Sequence, residues 1–66
     1  MAKGTVKWFN DTRGYGFISE SDGNDIFVHF TSILSTGFKS LSEGDEVSFE
    51  VEEAERGLKA KNVIKL

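Results

Sequence analysis

Tyr15-Gly16-Phe17-Ile18-Ser19-Glu20, then Ser21-Asp22-Gly23-Asn24, then Ile26-Phe27-Val28-His29-Phe30: two short runs of β-branched and aromatic residues flank a polar turn, and their alternation decides the fold. Asp, Gly and Asn tolerate the left-handed backbone that a tight hairpin demands, so the second run is expected to return antiparallel to the first. Successive side chains of a strand point to opposite faces. Parity therefore sorts these residues into two chemically different sets, with Ile18, Ile26 and Val28 on one face and Tyr15, Phe17, Phe27 and His29 on the other. Aliphatic β-branched side chains suit a packed interior, and a narrow barrel cannot hold so many rings. The aliphatic set is expected inward and the rings outward.

Working outward, residues 3–10 read as a preceding strand that ends at the turn-forming Asp11-Thr12 and Gly14. Residues 31–42 read as mixed loop with one helical turn near residues 31–34. Residues 46–53 alternate Val47, Phe49 and Val51 against Ser48, Glu50 and Glu52, a strand with one dry and one wet face. After an Arg56-Gly57 turn, residues 58–66 form a last strand. Its parity shifts between Ala60 and Val63, which predicts a bulge or strong twist. Five short strands with hairpin-length connections indicate an all-β meander. Rolling it up removes both exposed edges, which predicts a five-stranded antiparallel barrel of the oligonucleotide/oligosaccharide-binding (OB) type, one domain over residues 1–66. Val6, Val47, Val51 and Val63 join the inward set, and Phe9 and Phe49 are expected to be partly buried. Trp8, two residues after inward Val6, would nominally face in. It joins the rings only if a bulge or the strand end turns it, and Phe30 shares that ambiguity.

Length and composition bound what such a barrel can do. Sixty-six residues and 7.3 kDa bury only about 60% of the unfolded chain's surface, so the core is small. With no cysteine there is neither a disulfide nor a thiolate metal site, and the single His29 has no metal-ligating companions. No cofactor is expected. No segment resembles a signal peptide or an apolar run of the ~20 residues needed to cross a bilayer, so a soluble cytoplasmic monomer with no membrane partner is expected. The net charge of −3 hides a segregation. Lys3, Lys7 and Arg13 near the start and Arg56, Lys59, Lys61 and Lys65 near the end stand against an acidic run from Glu43 to Glu55. If that run faces away from the termini, the molecule has a mildly basic side, and salt would weaken polyanion binding only modestly.

The outward rings are the feature that asks for a function. Taken singly, an aromatic residue is core packing, but an exposed ring forgoes roughly 1.5–3 kcal/mol of burial, and a marginally stable chain is not expected to leave several exposed without use. Flat rings interleaved with Lys7, Arg13 and Lys39 suit unpaired nucleobases, which stack on the rings while cations meet the phosphates. His29 would stack with them, and Phe38, in a glycine-containing loop, reads as a mobile stacking ring rather than a lid. Gly14 and Gly16, flanking Tyr15, would leave space for a base to approach. Two other classes compete. A Src-homology-3-like peptide groove would carry acids near the rings, where Lys7 and Arg13 lie instead. A hydrolase using His29 with Asp25 or Asp11 would lack a second base, and no GxxxxGK[ST] phosphate loop is present, so no enzymatic activity is expected.

Lys7-Trp8-Phe9-Asn10, Arg13-Gly14-Tyr15-Gly16-Phe17-Ile18 and Ile26-Phe27-Val28-His29-Phe30 resemble the signature segments of the cold-shock domain, the second and third its ribonucleoprotein motifs. The resemblance continues through Gly37-Phe38-Lys39, Glu43-Gly44 and Val47-Ser48-Phe49 to Asn62-Val63. It implies a five-stranded barrel that binds single-stranded RNA and DNA and acts as an RNA chaperone without ATP. The binding surface it implies maps onto Lys7, Trp8, Arg13, Tyr15, Phe17, Phe27, His29, Phe30 and Phe38, with Asn10, Asp25, Lys39 and Arg56 at the rim. Leu58 stands where the family usually has proline, and Thr36 where an acid is common.

Overall fold

The computed structural model describes residues 2–34 and 41–66. Five strands, β1 (Ala2–Asn10), β2 (Tyr15–Glu20), β3 (Asp25–His29), β4 (Glu46–Ala54) and β5 (Gly57–Lys65), close into a barrel in the order β1-β2-β3-β5-β4. The barrel is the one expected, but its connectivity is not a plain meander. After a 3-10 turn at Phe30–Ser32 the chain crosses over, so that β3 meets β5 in parallel, through the single registered pair Phe27 and Lys59. Ile33 bridges Val63 alongside that seam, and the Leu34 N–H donates to the Val63 carbonyl at 2.8 Å.

The hairpin turns follow from their side chains. Between β1 and β2, the Asn10 carboxamide oxygen accepts the Arg13 N–H at 2.9 Å, and Gly14 takes a left-handed φ of 77°. Between β2 and β3, the Asp22 carboxylate accepts the Asn24 N–H, and the Gly23 N–H donates to the Glu20 carbonyl. The final turn falls on Glu55 and Arg56, one residue earlier than expected.

Val6, Ile18, Ile26, Val28, Val47, Phe49, Ala60 and Val63 fill the interior, joined by Ile33 and Leu41 from the crossover. Two expectations change. Phe49, expected at partial burial, is 0% exposed and is the largest fully buried side chain of the core. Val51 sits opposite Ala60 as parity requires, yet is 39% exposed. Among the described residues β1 pairs with β4 only as far as Phe49, so Val51 lies where β4 has a single strand neighbour.

Both irregularities that the alternation hinted at are present. The β4–β5 register slips between Ser48 and Glu50, with Asn62 at a left-handed φ of 52°, which resets the parity of β5 between Ala60 and Val63. The β1–β2 register slips between Val6 and Trp8, inserting Lys7 as an extra residue.

Charge does not segregate as the linear order suggested. The acidic β4 is sandwiched between the two basic ends, and the pairs Lys61–Glu52 (3.9 Å) and Lys65–Asp45 (3.3 Å) interleave the signs. Asp45 also accepts the Ser42 N–H at 2.9 Å, and this hydrogen bond, helped by Lys65, holds its carboxyl below the usual value of 3.8. A folded-state pKa below the unfolded one gives stability that is fully present above the unfolded value and lost as pH falls through the folded one. Asp45→Asn is therefore expected to narrow the stability difference between pH 7 and pH 2 relative to wild type, measured by urea unfolding at the two pH values.

Candidate nucleic-acid interface

The outward face of β1, β2 and β3 is a small lattice set by register. Trp8 stands opposite Phe17 and Phe17 opposite Phe27, forming one row; Asn10, Tyr15 and His29 form the next. On the inward side the same strands pair Val6 with Ile18, Ile18 with Ile26, and Gly16 with both Phe9 and Val28. The Lys7 bulge places Trp8 in the outer row. Without the extra residue Trp8 would share the face of Val6.

The rings pack on one another rather than standing alone, Trp8 with Tyr15 and Phe17 with Phe27 edge to face and the other two pairs tilted. Trp8 lies 5.6 Å from Phe17 and 5.9 Å from Tyr15, Phe17 lies 5.7 Å from Phe27, and Tyr15 lies 5.8 Å from Phe27. Such contacts are the favoured aromatic geometry, and each ring shields part of its neighbour. Tyr15, Phe17, Phe27 and His29 are consequently half-buried, whereas Trp8 and Phe30, at the margins, are 40% and 41% exposed. None of them enters the core cluster. Phe30 extends the cluster through His29, with ring centroids 4.6 Å apart.

The two glycines beside Tyr15 serve the protein's own packing, correcting the expectation that they leave room for a base. A Cβ on Gly16 would meet the Trp8 carbonyl oxygen and lie 2.7 Å from Phe9 Cα, so β1 already occupies that space. A Cβ on Gly14 would lie 2.7 Å from the Phe30 ring, which rests against this turn.

Charged groups frame the rings. Lys7, on the bulge, pairs with Asp25 at 3.0 Å across two strands. The Arg13 guanidinium reaches the Tyr15 hydroxyl at 3.5 Å. Beside Phe17 and Phe27 opens a groove of about 620 Å³, lined also by Asp25 and, from the β4–β5 hairpin, by Glu55, Arg56, Leu58 and Lys59. The groove is thus mixed in sign, and Asp25 is partly neutralised by Lys7 rather than paired with His29. Asn10 is placed at the rim, but its carboxamide oxygen is committed to the Arg13 turn. Phe38 and Lys39 lie outside the described residues. Lys59 is the site residue that sequence reading missed. Alternation back from inward Ala60 turns it outward, but only the crossover sets it beside Phe27.

Comparison with known proteins agrees with this geometry. A family model described as the 'Cold-shock' DNA-binding domain matches residues 2–66. The cold shock-like protein CspE of Bacillus anthracis is 64% identical over 63 residues, covering 96% of this chain and 94% of that protein. The cold shock protein CspB of Geobacillus stearothermophilus is 59% identical over 66 residues, covering 100% of both chains. A solved structure of Drosophila Unr CSD456 superposes with a TM-score of 0.81 at 30% identity, covering 98% of this chain and 26% of the larger one. With a closed five-stranded barrel, an outward ring lattice, a family model matched over residues 2–66 and bacterial relatives covered over 94% and 100% of their length, the chain belongs to the cold-shock domain family of nucleic-acid-binding proteins.

Proposed function

We propose that this protein binds single-stranded RNA and DNA with little sequence preference and keeps RNA unpaired without ATP, acting as a monomeric, cytoplasmic RNA chaperone of one domain. The observation that carries this reading is the row Trp8, Phe17 and Phe27, with Tyr15 and His29 beside it, on a face that the core does not use. Bases in a duplex already have both faces stacked, so rings of this kind gain from unpaired bases only. Binding that selects the open strand shifts a hairpin equilibrium toward unfolding by mass action, with no fuel consumed. Arg13, Arg56, Lys59 and Lys7 border the rings and the groove beside them and are proposed to meet the phosphates, and Phe38 and Lys39 are proposed to extend the surface. The reading includes no catalysis: His29 is engaged by Thr31, and Asp25 by Lys7, so the two do not form an acid–base pair.

Trp8 reports on the encounter directly. Its fluorescence is expected to be quenched by a short pyrimidine-rich oligonucleotide and unchanged by duplex of the same length; equal quenching by both would refute selective stacking. Phe27→Ala is expected to weaken single-strand binding by about 1–3 kcal/mol while the barrel stays folded.

A further inference from the structure

His29 ends β3 and caps the 3-10 turn that follows, its backbone extended at φ −114° and ψ 151°. Its imidazole turns back onto that turn. The Thr31 backbone N–H donates to Nδ1 at 3.4 Å, and Thr31 Oγ1 stands 2.9 Å from the same nitrogen. A peptide N–H is a donor in every state, whereas a hydroxyl rotates to donate or accept. Both contacts hold only if Nδ1 keeps its lone pair, which puts the proton of the neutral ring on Nε2. Nε2 is across the ring from Nδ1 and so faces away from the turn. Phe30, against which the imidazole packs, is held from its other side, with its N–H donating to the Gly14 carbonyl at 2.8 Å and its ring resting on Gly14 itself. Backbone thus meets both members of the ring pair, and among the described residues the Thr31 hydroxyl is the side-chain group hydrogen-bonded to His29.

We propose that Thr31 is a positioning residue of the interface, fixing His29 as a hydrogen-bond donor through Nε2 and holding its ring against Phe30. A ring so held offers a donor and no acceptor, so it meets an acceptor oxygen of the bound strand. This rests on the single-strand reading above, and the experiment separates the two. Thr31→Val keeps the branched shape and removes the hydroxyl, and Thr31→Ser restores it. Nitrogen NMR of the imidazole in the free protein is expected to show the Nε2–H tautomer alone in wild type and Thr31→Ser, and a share of roughly a tenth or more of the Nδ1–H form in Thr31→Val. Affinity for a short oligothymidylate is expected to fall about fivefold in Thr31→Val, mostly because the ring is no longer held in place by the hydroxyl, since a tenth of the other tautomer alone would lower it only about 1.1-fold, and to recover in Thr31→Ser. Thr31 is exposed, so thermal midpoints should coincide and serve as the folding control. A wild-type ring protonated on Nδ1, or a Thr31→Val protein that matches wild type in either tautomer or affinity, overturns the proposal. Wild-type protein that fails to bind the oligonucleotide refutes the single-strand reading alone, and the tautomer comparison then decides the role of Thr31.

Discussion

Phe49→Ala is expected to leave much of the chain unfolded at 25 °C. Phe49 is fully buried among aliphatic neighbours, and emptying such a site removes both the transfer free energy of the ring and the contacts around the cavity, about 3–5 kcal/mol together. A chain of this length has a total stability of roughly 3–10 kcal/mol, so the loss consumes most of it. Urea unfolding followed by far-ultraviolet circular dichroism measures the change. The informative comparison is with Phe27→Ala, the same substitution on the opposite face of the sheet, which should keep the barrel and lose affinity. A Phe49→Ala protein with an unfolding midpoint close to wild type would show that the core has been drawn in the wrong place.

Gly16→Ala is the second large effect, and it comes from one methyl group. The new Cβ would lie 2.7 Å from Phe9 Cα and closer still to the Trp8 carbonyl oxygen. Both are backbone atoms, so no flexible side chain can swing aside, and β1 must move off β2. Overpacking of a flexible site costs about 1–3 kcal/mol, and here, where the obstacle is another strand, a loss of about 3 kcal/mol or more is expected. The movement also displaces Trp8, so whatever folded protein remains should bind single strands more weakly. Gly23→Ala is the control. Its Cβ meets nothing within 4 Å, and only the left-handed φ of 98° is penalised, by about 1–2 kcal/mol. Equal losses at the two positions would mean that conformational freedom, not interstrand crowding, explains Gly16.

Much of this molecule is legible in its residues because strand alternation is a local signal. The inward Ile18, Ile26 and Val28 and the outward Tyr15, Phe17, Phe27 and His29 separate by parity alone, and the register confirms each pairing. Even the bulges left traces: Trp8 conflicts with Val6 by parity, and Val63 conflicts with Ala60, and each conflict marks a slipped register. What escaped was non-local. The parallel meeting of β3 and β5 depends on a crossover of more than a dozen residues, so neither Lys59 beside Phe27 nor Ile33 beneath Val63 could be placed from their own neighbourhoods. Val51 has the right parity but lies beyond the last β1 partner, and alternation says nothing about where a neighbouring strand stops. Charge failed for a different reason. The acidic and basic runs, consecutive along the chain, are the two arms of the β4–β5 hairpin, and pairing across it turned an apparent division into pairs.

Phe17 and Ile18 are separated by one peptide bond, yet they answer to different demands, one to whatever the protein meets and the other to its own cohesion. Descendants of such a sequence can retune their targets by exchanging every other residue of β2 while the intervening ones stay untouched. The lesion most damaging to such an arrangement is a lost or gained codon within β2, because it exchanges the two roles for every residue beyond it unless a bulge like that at Lys7 restores the alternation.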